Sequence, residues 1–181
     1  MELRPHPQSP EGPIRRLTVE ASRPAADRLA LRYVALGDVA QLFVPETDAA
    51  LRTDELWKRT CFEAFVRVGD SADYYEFNLA PSTRWAAYQF RGYRGEMADA
   101  DVDAPRIEVD ADGERFTLTA LIDVSRLERL DAGADWTLAV STVIEDASGQ
   151  VSHWALAHPS PFPDFHHAKS FVLDLPAPEH P

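Results

Sequence analysis

The sequence predicts an all-β fold: an antiparallel β-sandwich of two packed sheets, jelly-roll-like, with at most one short helix. Short apolar runs alternate with a period of two rather than about 3.6, which is typical of strands. Many runs carry β-branched or aromatic residues, and Gly, Asp, Pro or Ser bounds most of them. The segments "DADGERF" and "EDASGQV" are typical of hairpin turns, with Gly113 and Gly149 supplying the permissive backbone. Many short strands with almost no helical pattern indicate a sandwich or barrel.

The predicted strands follow in chain order, and one helical turn is expected in "DVSRLERLD". The strands are Ile14–Ala21, Leu29–Leu36, Thr60–Val68, Asp73–Leu79, Arg84–Arg91, Arg106–Asp110, Glu114–Val124, Trp136–Glu145, Val151–Ala157 and Ser170–Leu175. The stretch Glu96–Glu114 holds eight carboxylates but lacks the spacing of a calcium loop. It is predicted to be a solvated connection.

The length of 181 residues predicts one domain. Residues 1–13 carry four prolines and little apolar content, and the tail "PAPEHP" repeats that composition. The prediction is therefore a flexible segment at 1–13, a single domain at 14–175 and a flexible tail at 176–181.

The charge and the cysteine content limit which binding partners and which cellular compartment are expected. The formal net charge of −12 repels phosphate, which argues against nucleic acid and anionic membranes as partners. Cys61 is the single cysteine, so no internal disulfide forms. Without an apolar signal region or a run of roughly 18 apolar residues, a cytoplasmic protein is expected. The oligomeric state stays open.

The strands at 60–68, 73–79 and 84–91 are predicted to form an antiparallel meander with four-residue connections. This register puts Val66 opposite Tyr75 and Phe77 opposite Ala86, and directly opposed residues share a face. The predicted core face consists of Phe62, Ala64, Val66, Tyr75, Phe77, Leu79, Ala86, Tyr88 and Phe90.

The opposite face of the predicted meander lacks lysine, aspartate, serine and threonine. Its members are Glu63, Phe65, Arg67, Tyr74, Glu76, Asn78, Trp85, Ala87, Gln89 and Arg91. Rings that pack on a sugar, together with amides, carboxylates and guanidinium groups that bind hydroxyls, are typical of a site for a sugar or similar polyol. A loop covering a salt-bridged network would explain the same residues and stays open as the alternative.

The segments "DELWKRTCFEAFVRVGDSADYYEFNLAPSTRWAAYQF" and "SHWALAHPSPFPDFHHAKSFVLDL" resemble the bacterial DOMON-like proteins, which are similar to family 9 carbohydrate-binding modules. The match covers much of residues 54–175. The residues that carry the resemblance are Trp57, Glu63, Tyr75, Phe77, Asn78, His158, Pro159, His166, His167 and Phe171.

The resemblance implies a two-sheet β-sandwich that binds a sugar or, in other branches, haem. Family 9 modules hold the sugar between tryptophans. The resemblance therefore implies Trp85 as one wall and Trp57 or Trp154 as the second.

The segment "HWALAHPSPFPDFHH" holds four of the six histidines. Its spacing fits no standard zinc template, so no metal ligands are assigned. Haem held by Met97 and a late histidine is an alternative. In another interpretation, His158 or His166 contacts the same ligand as Trp85.

The expected function is non-catalytic carbohydrate recognition, with no catalytic residue and no cofactor assigned. The predicted ligand-binding residues are Glu63, Glu76, Asn78, Trp85, Gln89, Arg91, Trp57, His158 and His166. One alternative is a glycoside-processing enzyme that uses Glu63 and Glu76, whose Cα atoms would be about 7–8 Å apart as diagonal neighbours. The other is a haem-binding or metal-binding module of the DOMON type.

Overall fold

The computed structural model describes residues 1–44, 46 and 49–178, and this part of the chain forms an all-β fold. Its twelve strands are β1 (Glu2–Pro5), β2 (Ile14–Ala25), β3 (Arg28–Gly37), β4 (Cys61–Val68), β5 (Tyr74–Leu79), β6 (Trp85–Phe90), β7 (Ala98–Asp99), β8 (Arg106–Asp112), β9 (Arg115–Asp123), β10 (Trp136–Glu145), β11 (Val151–Ala155) and β12 (Leu173–Leu175). Short 3₁₀ turns occupy Val39–Gln41, Leu56–Lys58 and Ala168–Ser170. The described residues include no helix that is both long and apolar enough to cross a membrane.

The strands pair antiparallel along one continuous path, in the order β7-β6-β5-β4-β10-β11-β1-β2-β3-β9-β8, with β12 added against β10. This sheet is curled as a half-barrel. The predicted all-β antiparallel class is confirmed, whereas two separate sheets are not observed because β1 joins the two halves of the path.

The main core lies where strands from the two halves of the path meet. The Phe62 ring on β4 lies 5.1 Å from the Tyr33 ring on β3 and stacks at 5.7 Å on Phe116 of β9. The Tyr33 hydroxyl donates a hydrogen bond of 2.9 Å to the Glu63 carbonyl. Alternating side chains on β3 and β9 are buried, as the period of two predicts.

Strand β1 corrects the prediction that residues 1–13 form a flexible segment outside the domain. Its residues pair with both β2 and β11, and Leu3 is buried in the main core. Proline content indicated a loose end, but Pro5 occupies the last position of the strand. Residues 179–181 of the predicted tail lie outside the described residues.

Two smaller predictions also change. The segment "DVSRLERLD" forms two successive turns instead of a helical turn, with the amide of Leu127 bonded to the Val124 carbonyl and that of Leu130 to the Leu127 carbonyl. The acidic stretch contributes β7, which pairs with β6, in addition to the strand predicted at Arg106–Asp110, which is observed as β8 and pairs with β9.

The meander β4–β5–β6 has one hairpin as predicted and one shifted by a residue. The first register is confirmed, with Val66 opposite Tyr75. In the second hairpin Phe77 lies opposite Ala87 instead of Ala86. The amide of Ala80 bonds to the Arg84 carbonyl at 2.9 Å, so the connection has three residues, the last of them Thr83 at φ 68°. A turn followed by one left-handed residue is a common three-residue hairpin loop.

Candidate functional site

The shifted register exchanges the two faces of β6. Alternate residues Trp85 and Ala87 face the main core, whereas Ala86, Tyr88 and Phe90 lie on the other face with Phe65 and Tyr74. The prediction that Trp85, Gln89 and Arg91 share a face with Glu76 is therefore wrong. A one-residue slip moves every side chain of a strand to the opposite face.

The exchanged residues have structural partners of their own. Trp85 is 5% exposed and its indole nitrogen donates to the Ala50 carbonyl at 3.3 Å. The Gln89 side chain accepts a hydrogen bond of 2.8 Å from Arg129. Arg91 lies beyond the end of β6 and forms an exposed ion pair with Glu96 at 3.6 Å.

A pocket of about 330 Å³ opens over the face of the meander that carries Glu76. Its size is at the lower end of the range of small-molecule sites, about 300–1,000 Å³. Charged and polar side chains meet apolar rings within it. The lining residues are Trp57, Glu63, Glu76, Phe90, Arg94, Met97, Val143, His153, Pro163, Phe165 and His166.

Two buried carboxyl groups face this pocket from adjacent strands. Glu63 on β4 is 2% exposed; its Oε2 accepts from the Ser141 hydroxyl at 3.0 Å, and its Oε1 has no hydrogen-bond partner among the described residues. Glu76 on β5 is 5% exposed and its Oε1 accepts from the Asn78 amide at 2.7 Å. Asn78 pairs directly with Glu63 across the strands, which makes the two glutamates diagonal neighbours.

Burial raises the pKa of both glutamates well above the ordinary carboxyl range, and in Glu63 the neighbouring Glu76 charge raises the pKa further. The hydrogen bonds from Ser141 and Asn78 favour the ionised forms but do not offset the loss of hydration. Near neutral pH the two groups therefore hold at least one proton between them. Such a pair can donate as well as accept a hydrogen bond.

His166 forms one wall of the pocket and has protein groups at both ring nitrogens. Its Nδ1 lies 2.8 Å from the Tyr74 hydroxyl and its Nε2 lies 3.8 Å from Glu76 Oε2. Burial, reinforced by the charge of Arg94, lowers the pKa of His166 to about 4. The imidazole is therefore neutral at physiological pH, and Phe65 and Phe90 pack on its edge with ring centroids 4.9 and 5.2 Å away.

The rim of the pocket is built by the loop after β6. Arg94 adopts the left-handed conformation at φ 51°, and its backbone amide donates to the Tyr74 hydroxyl at 3.1 Å. Its guanidinium forms an ion pair of 3.1 Å with Asp164, which also accepts a hydrogen bond of 2.8 Å from Tyr93. Non-glycine residues in this conformation are uncommon and cluster at functional sites.

The structure brings four of the nine predicted ligand-binding residues together. Trp57, Glu63, Glu76 and His166 line the pocket. Asn78 is fully buried beneath it, where it positions Glu76.

The other predicted residues lie elsewhere. His158 does not line the pocket: its Nε2 bonds to the Arg4 carbonyl of β1 at 2.8 Å and its ring contacts that of His6. Trp154, expected as a second wall, packs in the main core and donates to Ser152.

Sequence reasoning missed Phe90, Arg94, His153 and Phe165. Phe90 was assigned to the core because the predicted register of the second hairpin was off by one residue. Phe165 could have been found from its position in the proline-rich segment next to His166. Arg94 reaches the pocket through a loop conformation that no periodicity reveals.

The histidine-rich segment supplies His153 and His166 to the same pocket as Met97. His166 Nδ1 is bonded to the Tyr74 hydroxyl at 2.8 Å, whereas its Nε2 lies 3.8 Å from Glu76 Oε2, beyond hydrogen-bond distance. No cluster of three or more His, Cys, Asp or Glu side chains within the described ranges has an arrangement suited to a metal ion. Binding of haem or a metal stays a prediction.

Comparison with solved structures identifies similar folds. A candidate carbohydrate-binding protein from Bacteroides uniformis ATCC 8492 matches with a TM-score of 0.64 and 16% identity over 97% of this chain and 85% of that one. A family 9 carbohydrate-binding module from Caldicellulosiruptor kristjanssonii, solved in complex with glucose, matches with a TM-score of 0.50 and 10% identity over 89% of this chain and 75% of that one. The predicted similarity to family 9 modules is thus confirmed at the level of the fold.

No protein-family model matches the sequence, and no curated protein matches it either.

Proposed function

We propose that this protein is a non-catalytic carbohydrate-binding module whose ligand occupies the pocket over β4, β5 and β6. The observation that carries the proposal is Glu63, which lines the pocket and whose Oε1 is a buried acceptor without a partner among the described residues. A buried polar atom without a partner costs about 1–3 kcal/mol, more when charged, unless a ligand or water satisfies it. A ligand hydroxyl would supply that hydrogen bond.

The remaining walls suit a sugar ring. Trp57, Phe90 and Phe165 offer apolar ring surfaces, while Glu76, Arg94 and His153 offer polar groups at the same cavity. Apolar surfaces that pack on the sugar C–H face, with a few fixed polar groups that bind its hydroxyls, satisfy both sides of the ligand. Two neighbours of the same fold, described as a candidate carbohydrate-binding protein and a glucose-bound family 9 module, support this ligand class.

Titration calorimetry with a panel of monosaccharides and disaccharides, guided by a glycan array, tests the proposal. Trp57→Ala should weaken the tightest sugar by about 1 kcal/mol or more, because the indole forms a wall of the pocket. Phe43→Ala is the matched control because Phe43 is exposed to the same degree, 37% against 36%, and does not line the pocket. Equal affinities for the two variants would refute this placement of the site.

A second candidate function is hydrolysis or transfer at a glycosidic bond by Glu63 and Glu76. The observation that favours it is a pair of buried carboxyl groups with raised pKa in one pocket, since a glycosidase acid needs such a pKa. Chromogenic glycosides test it: turnover that disappears in both Glu63→Gln and Glu76→Gln supports an enzyme. Sugar binding without turnover across the panel supports the module.

A further inference from the structure

Carboxyl groups outnumber charged basic groups in the lining of the pocket, with Glu63 and Glu76 against Arg94. In the described part of the chain, no Lys or Arg nitrogen lies within 4 Å of the carboxyl oxygens of Glu63 or Glu76. The basic group in contact with them is His166, at 3.8 Å from Glu76 Oε2. Because His166 is neutral at physiological pH, this contact carries no ion-pair stabilisation.

Arg94 offsets the two glutamates only in part: its charge lowers the pKa of both, but less than burial raises it. Its guanidinium is paired with the Asp164 carboxylate at 3.1 Å, and Asp164 is held in place by the Tyr93 hydroxyl and the His166 amide. The Arg94–Asp164 pair has no net charge, and no basic side chain of the described residues contacts the two glutamates as an ion pair at neutral pH.

We propose that the pocket selects an amino sugar, whose ammonium group lies between Glu63 and Glu76. The inference rests on the carbohydrate-binding function proposed above and specifies its ligand. An ammonium group has three donors, enough to bond to the unpartnered Glu63 Oε1 and to Glu76 Oε2 together. Hydrogen bonds between ionised groups are roughly twice as strong as neutral ones.

The same arrangement discriminates between sugar classes. A neutral sugar satisfies Glu63 Oε1 through a hydroxyl but leaves the acidic pair without a countercharge. An acidic sugar places its carboxylate against two acidic groups and prevents their ionisation, which disfavours its binding. The order of affinity expected from the floor of the pocket is amino sugar, neutral sugar, acidic sugar.

Binding of an ammonium group is coupled to proton release. The pair holds at least one proton near neutral pH, and a cation between the two carboxyl groups favours ionisation of both. Titratable and charged groups face the pair or line the same pocket from the surrounding elements: Tyr33, Cys61, Tyr74, Tyr88, Arg94, His153, Asp164 and His166. Across pH 6 to 7.5 Arg94 and Asp164 keep their charges and His166 stays neutral. Burial lowers the pKa of His153 and raises that of Cys61 and the tyrosines, which favours their neutral forms, so the release reports the two glutamates.

Calorimetric titrations at pH 6.5 with glucosamine, N-acetylglucosamine, glucose and glucuronic acid test the inference. Glucosamine should bind at least about tenfold more tightly than glucose and N-acetylglucosamine, because the acetyl group removes the positive charge. Titration in two buffers of different ionisation enthalpy should show that protons are released on binding of glucosamine and not on binding of the other three sugars. In Glu63→Gln, or Glu76→Gln if the first variant does not fold, the preference should fall by about tenfold. The exposed Glu114→Gln, outside the pocket, should retain it.

The outcomes separate the two proposals. Equal or tighter binding of glucose, with no proton release, overturns the amino-sugar inference and leaves the carbohydrate-binding function standing. Preference for glucuronic acid also overturns it, since Arg94 would then be the anchoring charge. Absence of binding by all four sugars and by every glycan on the array overturns both.

Discussion

The substitution Trp85→Ala removes a side chain that the structure buries in the main core, with 5% of its surface exposed. A tryptophan buries about 150–250 Å², which at roughly 25 cal/mol per Å² corresponds to about 4–6 kcal/mol of unfolding free energy. Measured Trp→Ala losses in protein cores are about 3–5 kcal/mol. The variant also loses the hydrogen bond to Ala50, a further contribution of about 1 kcal/mol. We therefore expect a loss of about 4 kcal/mol.

Urea unfolding followed by circular dichroism measures this loss, provided that the transition is two-state. Phe162→Ala is the control: Phe162 is an aromatic residue with 66% of its surface exposed, and its loss should change the unfolding free energy by no more than about 0.5 kcal/mol. A loss below about 1 kcal/mol for Trp85→Ala would refute the observed register of β5 and β6, because Trp85 would then lie outside the core.

Two further predictions concern the acidic pair and β1. Because the pKa of Glu63 and Glu76 is raised on folding, their contribution to stability is greatest at acidic pH and is lost as pH rises. The histidines whose pKa is lowered on folding, His153, His158 and His166, no longer oppose this trend above about pH 6.5. Unfolding free energy should therefore fall between pH 6.5 and 8, and the double variant Glu63→Gln, Glu76→Gln should show a flatter profile. Leu3→Ala should cost about 2–5 kcal/mol in chemical denaturation because Leu3 is 1% exposed; an unchanged midpoint would show that β1 does not contribute to the core.

The sequence predicts a strand correctly when that strand has one buried and one polar face. All ten predicted strands occur, and Trp136–Glu145 has the predicted bounds. The two strands that were missed, Glu2–Pro5 and Ala98–Asp99, are too short to show a period of two.

The site residues were predicted correctly only where the pairing register of the two neighbouring strands was predicted correctly. In the first hairpin the pattern fixes the pairing of Glu63 with Asn78, so the acidic pair was located from the sequence. In the second hairpin Thr83 takes a left-handed conformation that a β-branched residue rarely adopts. No residue pattern in the sequence indicates this conformation, so the register of this hairpin was not predicted. Phe90 was consequently assigned to the core and Trp85 to the site.

Strand β1 also determines when the half-barrel can form during folding. Arg4 lies beside His158 and pairs with Ala155, and the contact with His158 spans 154 positions of the chain. The entropy of closing so long a loop opposes this pairing until other contacts have brought the two halves together. We therefore expect the halves to join through β1 late in folding, and until then the edges of β2 and β11 are open to pairing with another chain.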